Sequence, residues 1–125
     1  MRFRKLTKEV AYGATALVAT QDDASQLINE NKSAIAIVGH SKLAKWAVFL
    51  CPCGCGDTLR VSLQRSIPPA WRIRLTRDNR VTLSPSVWRE SACMSHFVLS
   101  KSIAYLFVEL KARKRSKSRW LGSDP

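Results

Sequence analysis

The sequence predicts a mainly β fold, a small antiparallel sheet or sandwich, with a helical segment at its N-terminus. Three observations lead to this prediction. Apolar and polar residues alternate in several short runs after residue 33, as they do in half-exposed strands. The first 33 residues instead space their apolar residues as a helix does. Between two predicted strands, three cysteines crowd into "CPCGCG" at 51–56, a loop with too many glycines to pack as ordinary core.

Residues 1–33 are predicted to form a helical extension. Apolar residues recur there at helix-like intervals. They are Val10, Ala11, Ala14, Leu17 and Val18. The following "QDDASQLINENK" can continue or restart the helix, with Asp22, Asp23 or Ser25 as its N-cap. The strands are therefore expected to begin at residue 34.

Six or seven short strands are predicted after residue 33. The runs are "AIAIVGH" at 34–40, "KWAVFLC" at 45–51, "TLRVSLQ" at 58–64, "WRIRLTR" at 71–77, "RVTLS" at 80–84, "HFVLS" at 96–100 and "IAYLFVEL" at 103–110. The prolines of "IPPAW" remove two backbone donors and interrupt the pairing. "DN" at 78–79 is a turn signal, so the runs beside it are expected to form a hairpin. The last two runs are expected to pair across a tight turn near Lys101 and Ser102.

The length of 125 residues allows one domain core. We expect a β domain at 34–110, between the helical extension at 1–33 and a basic disordered tail at 111–125. No apolar run approaches the roughly 20 residues of a membrane-spanning helix, so no membrane partner is expected. Glu9 interrupts an N-terminus that otherwise faintly imitates a secretory signal. Cysteines at i and i+2 are poorly placed for disulfides, which indicates a reducing, cytoplasmic location.

The charge of the chain is strongly basic. Lys and Arg number 21 against 9 Asp and Glu, a net charge of +12. Half of that excess lies in "KARKRSKSR" at 111–119, which has six basic residues and no acidic one. Such a run is typical of a solvated tail and could contact nucleic acid nonspecifically.

The cysteine loop at 51–56, which also contains Gly54 and Gly56, is predicted to be a zinc knuckle. Zinc takes four thiolate or imidazole ligands at tetrahedral corners, and glycine between ligands lets the chain curl around one ion. The fourth ligand has to come from elsewhere, and "ESACMSHF" at 90–97 offers Cys93 and His96. Two ligand sets stay open, Cys51, Cys53, Cys55 and Cys93, or three of these cysteines with His96. We favour the all-cysteine set, and zinc over an iron–sulfur cluster because cluster-binding spacings differ.

A serine and a histidine are candidates for nucleophilic catalysis, which requires a base within hydrogen-bond reach of the serine. His96 would be held in place by the metal loop, whereas His40 is expected to be a partly exposed loop residue. Ser86 lies on a segment that could pair with the strand at 96–99, and Trp88 could form the wall of an apolar pocket. Ser95 is less suited, because adjacent strand residues point to opposite faces.

Spacing therefore favours a dyad of Ser86 with His96. A carboxylate that orients the imidazole would complete a triad. Asp57, Asp78 and Glu90 are all open for that role.

Four elements of the chain, in order, resemble a family of small bacterial proteins. They are "CPCGCG" at 51–56, Trp71 after a proline-rich turn, "TLSPS" at 82–86 and "CMSHF" at 93–97. The resemblance spans about residues 34–108 and is to BubE-like proteins, some of which accompany bacterial ubiquitination-like (Bub) operons. It implies a peptidase that matures or removes a ubiquitin-like protein. It also implies roles for particular residues, with Cys51, Cys53, Cys55 and Cys93 as metal ligands and Ser86, Ser95 and His96 as the reactive group, the attacking serine being open.

Three functions are compatible with these observations. The first is a zinc-stabilised serine hydrolase acting on a ubiquitin-like protein or its conjugates. The second is a nucleic-acid-binding zinc module without catalysis, in which basic strand residues and the tail contact phosphates. Its candidate arginines are Arg60, Arg65, Arg72 and Arg74. The third is a metal-pinned adaptor without chemistry. The resemblance favours the hydrolase, whereas charge alone favours the nucleic-acid module.

Overall fold

The computed structural model describes residues 2–40, 43–89, 93 and 96–111. Within these residues the chain forms strands and one helix. The elements are β1 Arg2–Ala11, β2 Ala14–Val18, α1 Gln21–Glu30, β3 Ala34–His40, β4 Leu43–Leu50, β5 Thr58–Ser62, β6 Arg72–Leu75, β7 Val81–Ser84, β8 Val87–Trp88, β9 His96–Ser100 and β10 Ile103–Lys111.

The strands form two four-stranded sheets and a separate hairpin. One sheet has the order β1-β10-β9-β8, the second has the order β2-β3-β4-β5, and β6 pairs with β7. Neighbouring strands are antiparallel except β2 and β3, which are parallel. A parallel pair needs a crossover connection, and α1 supplies it. The prediction of a mainly β, largely antiparallel fold with a helical segment near the N-terminus is confirmed.

The helical segment is shorter than the spacing of apolar residues predicted. Arg2–Ala11 and Ala14–Val18 are strands, and only Gln21–Glu30 is helical. The predicted apolar stripe of a helix does not form. Residues 12–13 separate β1 from β2, and Leu17 is 57% exposed. The N-cap is also different from the three predicted residues: Thr20 accepts a hydrogen bond from the backbone N–H of Asp23 at 3.1 Å.

Strand β3 lies between two apolar layers, which explains its continuous run of buried residues. Ile35 and Ile37 belong to the larger core cluster, together with Phe49 of β4 and Phe97 of β9. The rings of Phe49 and Phe97 meet edge to face with centroids 6.1 Å apart. On the other face, the alanines and Val38 of β3 pack with Ala24 and Ile28 of α1 in a second cluster.

Both predicted hairpins are confirmed, β6 with β7 and β9 with β10. The second turns at Lys101 and Ser102, whose φ angles are +50° and +62°, the left-handed pair that a two-residue hairpin turn requires. Ser102 joins the two hairpins, since its hydroxyl accepts from the N–H of Val81 at 2.8 Å and its N–H donates to the Val81 carbonyl at 2.7 Å. Most of the predicted tail, from residue 112, lies outside the described residues. Among the helices that the structure describes, none is long and apolar enough to cross a membrane.

Candidate active site and metal centre

Ser86 lies between β7 and β8 and is half-buried. Its backbone is held from the neighbouring hairpin strand, because the indole N–H of Trp71 donates to the Ser86 carbonyl at 3.3 Å. Trp71 itself packs against the larger core cluster. The position of Ser86 therefore depends on a tryptophan that immediately precedes β6, fifteen residues away in sequence.

His96 is the first residue of β9 and is only 3% exposed. Its Nε2 lies 3.1 Å from the Oγ of Ser86, within the reach that a general base needs. The structure thus brings together the two residues that spacing had favoured as a dyad.

Aromatic residues of the two adjacent strands flank His96. Trp88 is its cross-strand partner on β8 and Phe107 its partner on β10. The Trp88 ring stacks on the imidazole with centroids 4.5 Å apart and an interplanar angle of 17°, and the Phe107 ring is tilted at 6.3 Å. The imidazole is thus held between two rings with its Nε2 directed at Ser86.

The other candidates for this site do not join the pair in the described part of the chain. Asp57 lies against Arg89, with 3.2 Å between Oδ2 and Nη2. Asp78 contacts Arg80 at 2.9 Å, and its pKa is lowered first by the hydrogen bond from the Thr76 hydroxyl and then by the Arg80 charge. Glu90 and Ser95 lie outside the described residues. His40 is exposed, but it is the last residue of β3 and not the loop residue that the sequence predicted.

The four cysteines meet at one point. The Sγ atoms of Cys51, Cys53, Cys55 and Cys93 all lie within 4.8 Å of one another. Cys51 Sγ is 3.5 Å from Cys53 Sγ and 3.6 Å from Cys93 Sγ. Four sulfurs about 2.3 Å from one tetrahedral ion would be roughly 3.8 Å apart, so the cluster has the size and donor set to hold a metal ion.

The loop at 51–56, which we call the cysteine knuckle, curls as a metal-binding turn does. Gly54 and Gly56 have φ angles of +92° and +89°, a left-handed backbone that glycine adopts without strain. The N–H of Cys51 donates to the Asp57 carbonyl at 2.8 Å and closes the loop. The N–H of Cys55 points at the Cys53 sulfur at 3.3 Å, the backbone-to-sulfur contact expected of such a turn.

The crowding of the thiols affects their ionisation. The backbone N–H of Asp57 lowers the pKa of Cys55, but desolvation and hydrogen bonding with Cys53 and Cys51 raise it to about 12. Four thiolates at these distances repel one another, and a cation between them removes that repulsion. The arrangement therefore fits a bound metal better than four independent thiols.

Arg89 is the functional residue that the sequence did not reveal. Its Nη1 lies 3.2 Å from Cys93 Sγ and 3.7 Å from Cys55 Sγ, and its Nη2 contacts Asp57. Hydrogen bonding to Cys51, and after it to Asp57, raises the pKa of its guanidinium above the usual value. In sequence Arg89 is one arginine among many, and only the fold places its charge beside the sulfurs.

Comparison with known proteins gives one family. A family model described as "Bacterial ubiquitination-like system serine protease (BubE)" matches residues 20–105. No curated protein and no solved structure gives a significant match to the chain. The matched residues include the cysteine knuckle, Ser86, Cys93 and His96.

Proposed function

The chain belongs to the BubE family of bacterial ubiquitination-like system serine proteases, and from this premise we propose that it is a peptidase with Ser86 as its nucleophile. The observation that carries the proposal is the 3.1 Å separation of Ser86 Oγ and His96 Nε2. A serine hydroxyl is a weak nucleophile until a neighbouring base accepts its proton. His96 is that base.

The reaction follows from this pair. Ser86 Oγ bonds to the scissile carbonyl carbon while its proton passes to His96 Nε2, giving a tetrahedral oxyanion held by backbone N–H groups beside Ser86. The C–N bond then breaks as the imidazolium returns that proton to the leaving amine. Water attacks the acyl-enzyme by the same route in reverse, His96 accepting its proton, and releases the carboxylate and free Ser86.

The surrounding residues position the two reacting groups. Trp71 fixes the carbonyl of Ser86, and Trp88 and Phe107 limit rotation of the imidazole. Rigid placement matters because small displacements of reacting atoms cost large factors in rate. Ser95, the other serine that the resemblance implies, is the alternative nucleophile that peptide mapping has to exclude.

We assign the four-cysteine centre to zinc in a structural role. Four thiolate ligands close the coordination shell and leave no position for water or substrate. The site would tie the cysteine knuckle, which follows β4, to Cys93, three residues before His96. Its contribution to catalysis is then to hold the entry of β9, and with it the imidazole, in place.

The substrate we propose is a bacterial ubiquitin-like protein, as a precursor or in conjugates, encountered in the cytoplasm. The support is the family description, which places these proteases in a ubiquitination-like system. A basic protein of net charge +12 also attracts acidic protein surfaces during encounter.

The test is covalent labelling of the purified protein with a fluorophosphonate, read by intact mass and peptide mapping. Ser86 Oγ would displace fluoride from phosphorus and leave one phosphonyl adduct. Ser86→Ala should abolish the adduct while retaining the metal and the melting temperature. Ser66→Ala, an exposed serine in the segment between β5 and β6, is the matched control and should be labelled normally. An adduct mapped to Ser95 would show that Ser95, and not Ser86, is the nucleophile. Complete absence of both labelling and cleavage of the ubiquitin-like precursor would overturn the proposal.

A further inference from the structure

The outer face of the β6–β7 hairpin, which ends two residues before Ser86, carries a cluster of hydrogen-bond donors. Arg72 pairs with Ser84 and Arg74 with Thr82 across the hairpin, and directly paired residues share one face of a sheet. These four residues, which we call the arginine face, line a shallow cavity of about 340 Å³ together with Ile73.

The two guanidinium groups of this face are exposed and available. Among the residues that the structure describes, no carboxylate lies within ion-pair distance of Arg72 or Arg74; the arginines that do pair there are Arg80 and Arg89. Two adjacent arginines without an acidic partner repel each other, and a bound anion relieves that repulsion while accepting their paired donors.

The hydroxyls complete a site for a carboxylate. Thr82 Oγ1 accepts the N–H of Lys101 at 3.0 Å, so its own hydrogen remains available for donation to an acceptor. Ser84 is exposed on the same face. The donors therefore converge from both strands on one cavity.

The arginine face adjoins the reacting serine on both strands. Ser84 is two residues before Ser86, and Trp71, which binds the Ser86 carbonyl, immediately precedes Arg72. Two residues of chain span at most about 7 Å. A peptide with its scissile carbonyl at Ser86 would thus place a side chain within a few residues of that bond over the cavity.

We propose that the arginine face is a substrate subsite that binds an acidic side chain, Glu or Asp, near the scissile bond. This inference rests on the proposed function, since it needs a peptide held at Ser86. It identifies a specificity determinant of the reaction: the enzyme would prefer acidic residues at one position of its substrate.

A peptide fits these observations better than a nucleic acid does. A phosphate backbone needs several aligned cations, but Arg60, on a different strand, is occupied by the side chains of Gln21 and Ser25 at 3.1 and 3.0 Å. A cavity of 340 Å³ accommodates a side chain rather than a strand of nucleotides. Two arginines beside a nucleophile are the arrangement of a local subsite.

The test uses short peptidyl diphenyl phosphonates as probes. In such a probe Ser86 Oγ bonds to phosphorus as one phenoxide leaves and takes up the serine proton as phenol. A matched set carries a single Glu, or Gln in its place, at each position in turn before the phosphonate. The second-order rate of Ser86 labelling is measured by intact mass. The expected result is a Glu-over-Gln preference of roughly twofold to fivefold, in the range of exposed ion contacts, at one position only.

Two double variants that remove the same charge test whether the Glu-over-Gln preference depends on the arginine face. Arg72→Gln with Arg74→Gln should abolish this preference, so that the Glu probes label Ser86 no faster than the Gln probes. Arg65→Gln with Arg77→Gln removes the same charge from exposed residues outside the face and should preserve it. Arg72→Lys with Arg74→Lys should restore part of it. Thermal unfolding verifies that each variant is folded.

The outcomes separate this inference from the proposed function. Equal labelling by Glu and Gln probes at every position would overturn the subsite while leaving the hydrolase intact. A Glu preference of equal size at all positions, reduced equally by both double variants, would indicate general electrostatic attraction of acidic probes. That result would also overturn the subsite. Binding of a fluorescent oligonucleotide that only the Arg72/Arg74 variant loses, without any Glu preference, would assign the face to nucleic acid. No labelling of Ser86 by any probe would overturn the subsite, and absence of precursor cleavage as well would overturn the proposed function.

Discussion

Trp88 stacks on His96 across the β8–β9 strand pair, with ring centroids 4.5 Å apart and planes 17° apart. Trp88 is 42% exposed, so the contact covers an imidazole that is otherwise deep in the protein. The same strand pair begins one residue after Ser86. The short strand β8 therefore positions both Ser86, which precedes it, and the Trp88 ring that covers His96.

Replacing Trp88 tests this positioning. In Trp88→Ala the imidazole gains rotational freedom, and Ser86 labelling by a fluorophosphonate should slow roughly threefold to tenfold, which corresponds to an aromatic contact of about 0.5–1.5 kcal/mol. Trp88→Phe keeps a ring on His96 and should recover most of the rate. The melting temperature should change little because Trp88 is partly exposed. Unchanged labelling of the alanine variant would show that the stacking does not position the base.

The Trp71 indole N–H should contribute to both stability and reactivity. Trp71→Phe keeps an aromatic ring against the core but removes the donor to the Ser86 carbonyl. We expect the free energy of unfolding to fall by about 0.5–1.5 kcal/mol, measured by urea titration, and labelling of Ser86 to slow. Trp46→Phe, a half-buried tryptophan of the second core cluster, is the control. If both variants labelled at the wild-type rate, the indole contact would be structural only.

Removing the metal should loosen the site as well as the fold. We expect native mass spectrometry to find one zinc ion per chain, lost on treatment with a strong chelator. The melting temperature and Ser86 labelling should then both decrease, because Cys93 leads into β9. Cys93→Ser should have the same effect without a chelator. A protein that contained no metal as purified, and whose melting temperature zinc did not raise, would contradict the structural zinc site.

Arg89 should strengthen metal retention. Its guanidinium lies beside two of the sulfurs and offsets the negative charge of a four-thiolate site. In competition with a chelator, the Arg89→Gln variant should bind zinc with roughly tenfold lower affinity than the wild type. Losses of this size are common when a residue that supports metal ligands is replaced. Arg89→Lys should retain part of the effect. Arg80→Gln removes a guanidinium whose partner is Asp78 and should bind zinc as the wild type does; an equal loss in that variant would implicate net charge instead.

The sequence alone determined the features that depend on local chain properties. Period-two alternation predicted β5 and β6, each of which turns one face to the core, and short β-type runs predicted β3, β4, β9 and β10. The dipeptide at 78–79 predicted the β6–β7 hairpin, and the cysteine spacing predicted a curled loop whose sulfurs converge. The Ser86–His96 pair was also favoured from spacing, because both residues were expected on neighbouring strand segments.

Only the tertiary structure decided the features that depend on distant partners. Val10 to Val18 have helical spacing, yet this stretch is divided between strands because β10 and β3 offer hydrogen-bonded edges to β1 and β2. Such pairing gains its energy from residues far along the chain, which a local pattern does not contain. The charge of Arg89 beside the sulfurs and the pairing of Arg72 and Arg74 with Ser84 and Thr82 arise in the same way. Local periodicity specifies which residues face inward, and the fold specifies which of them meet.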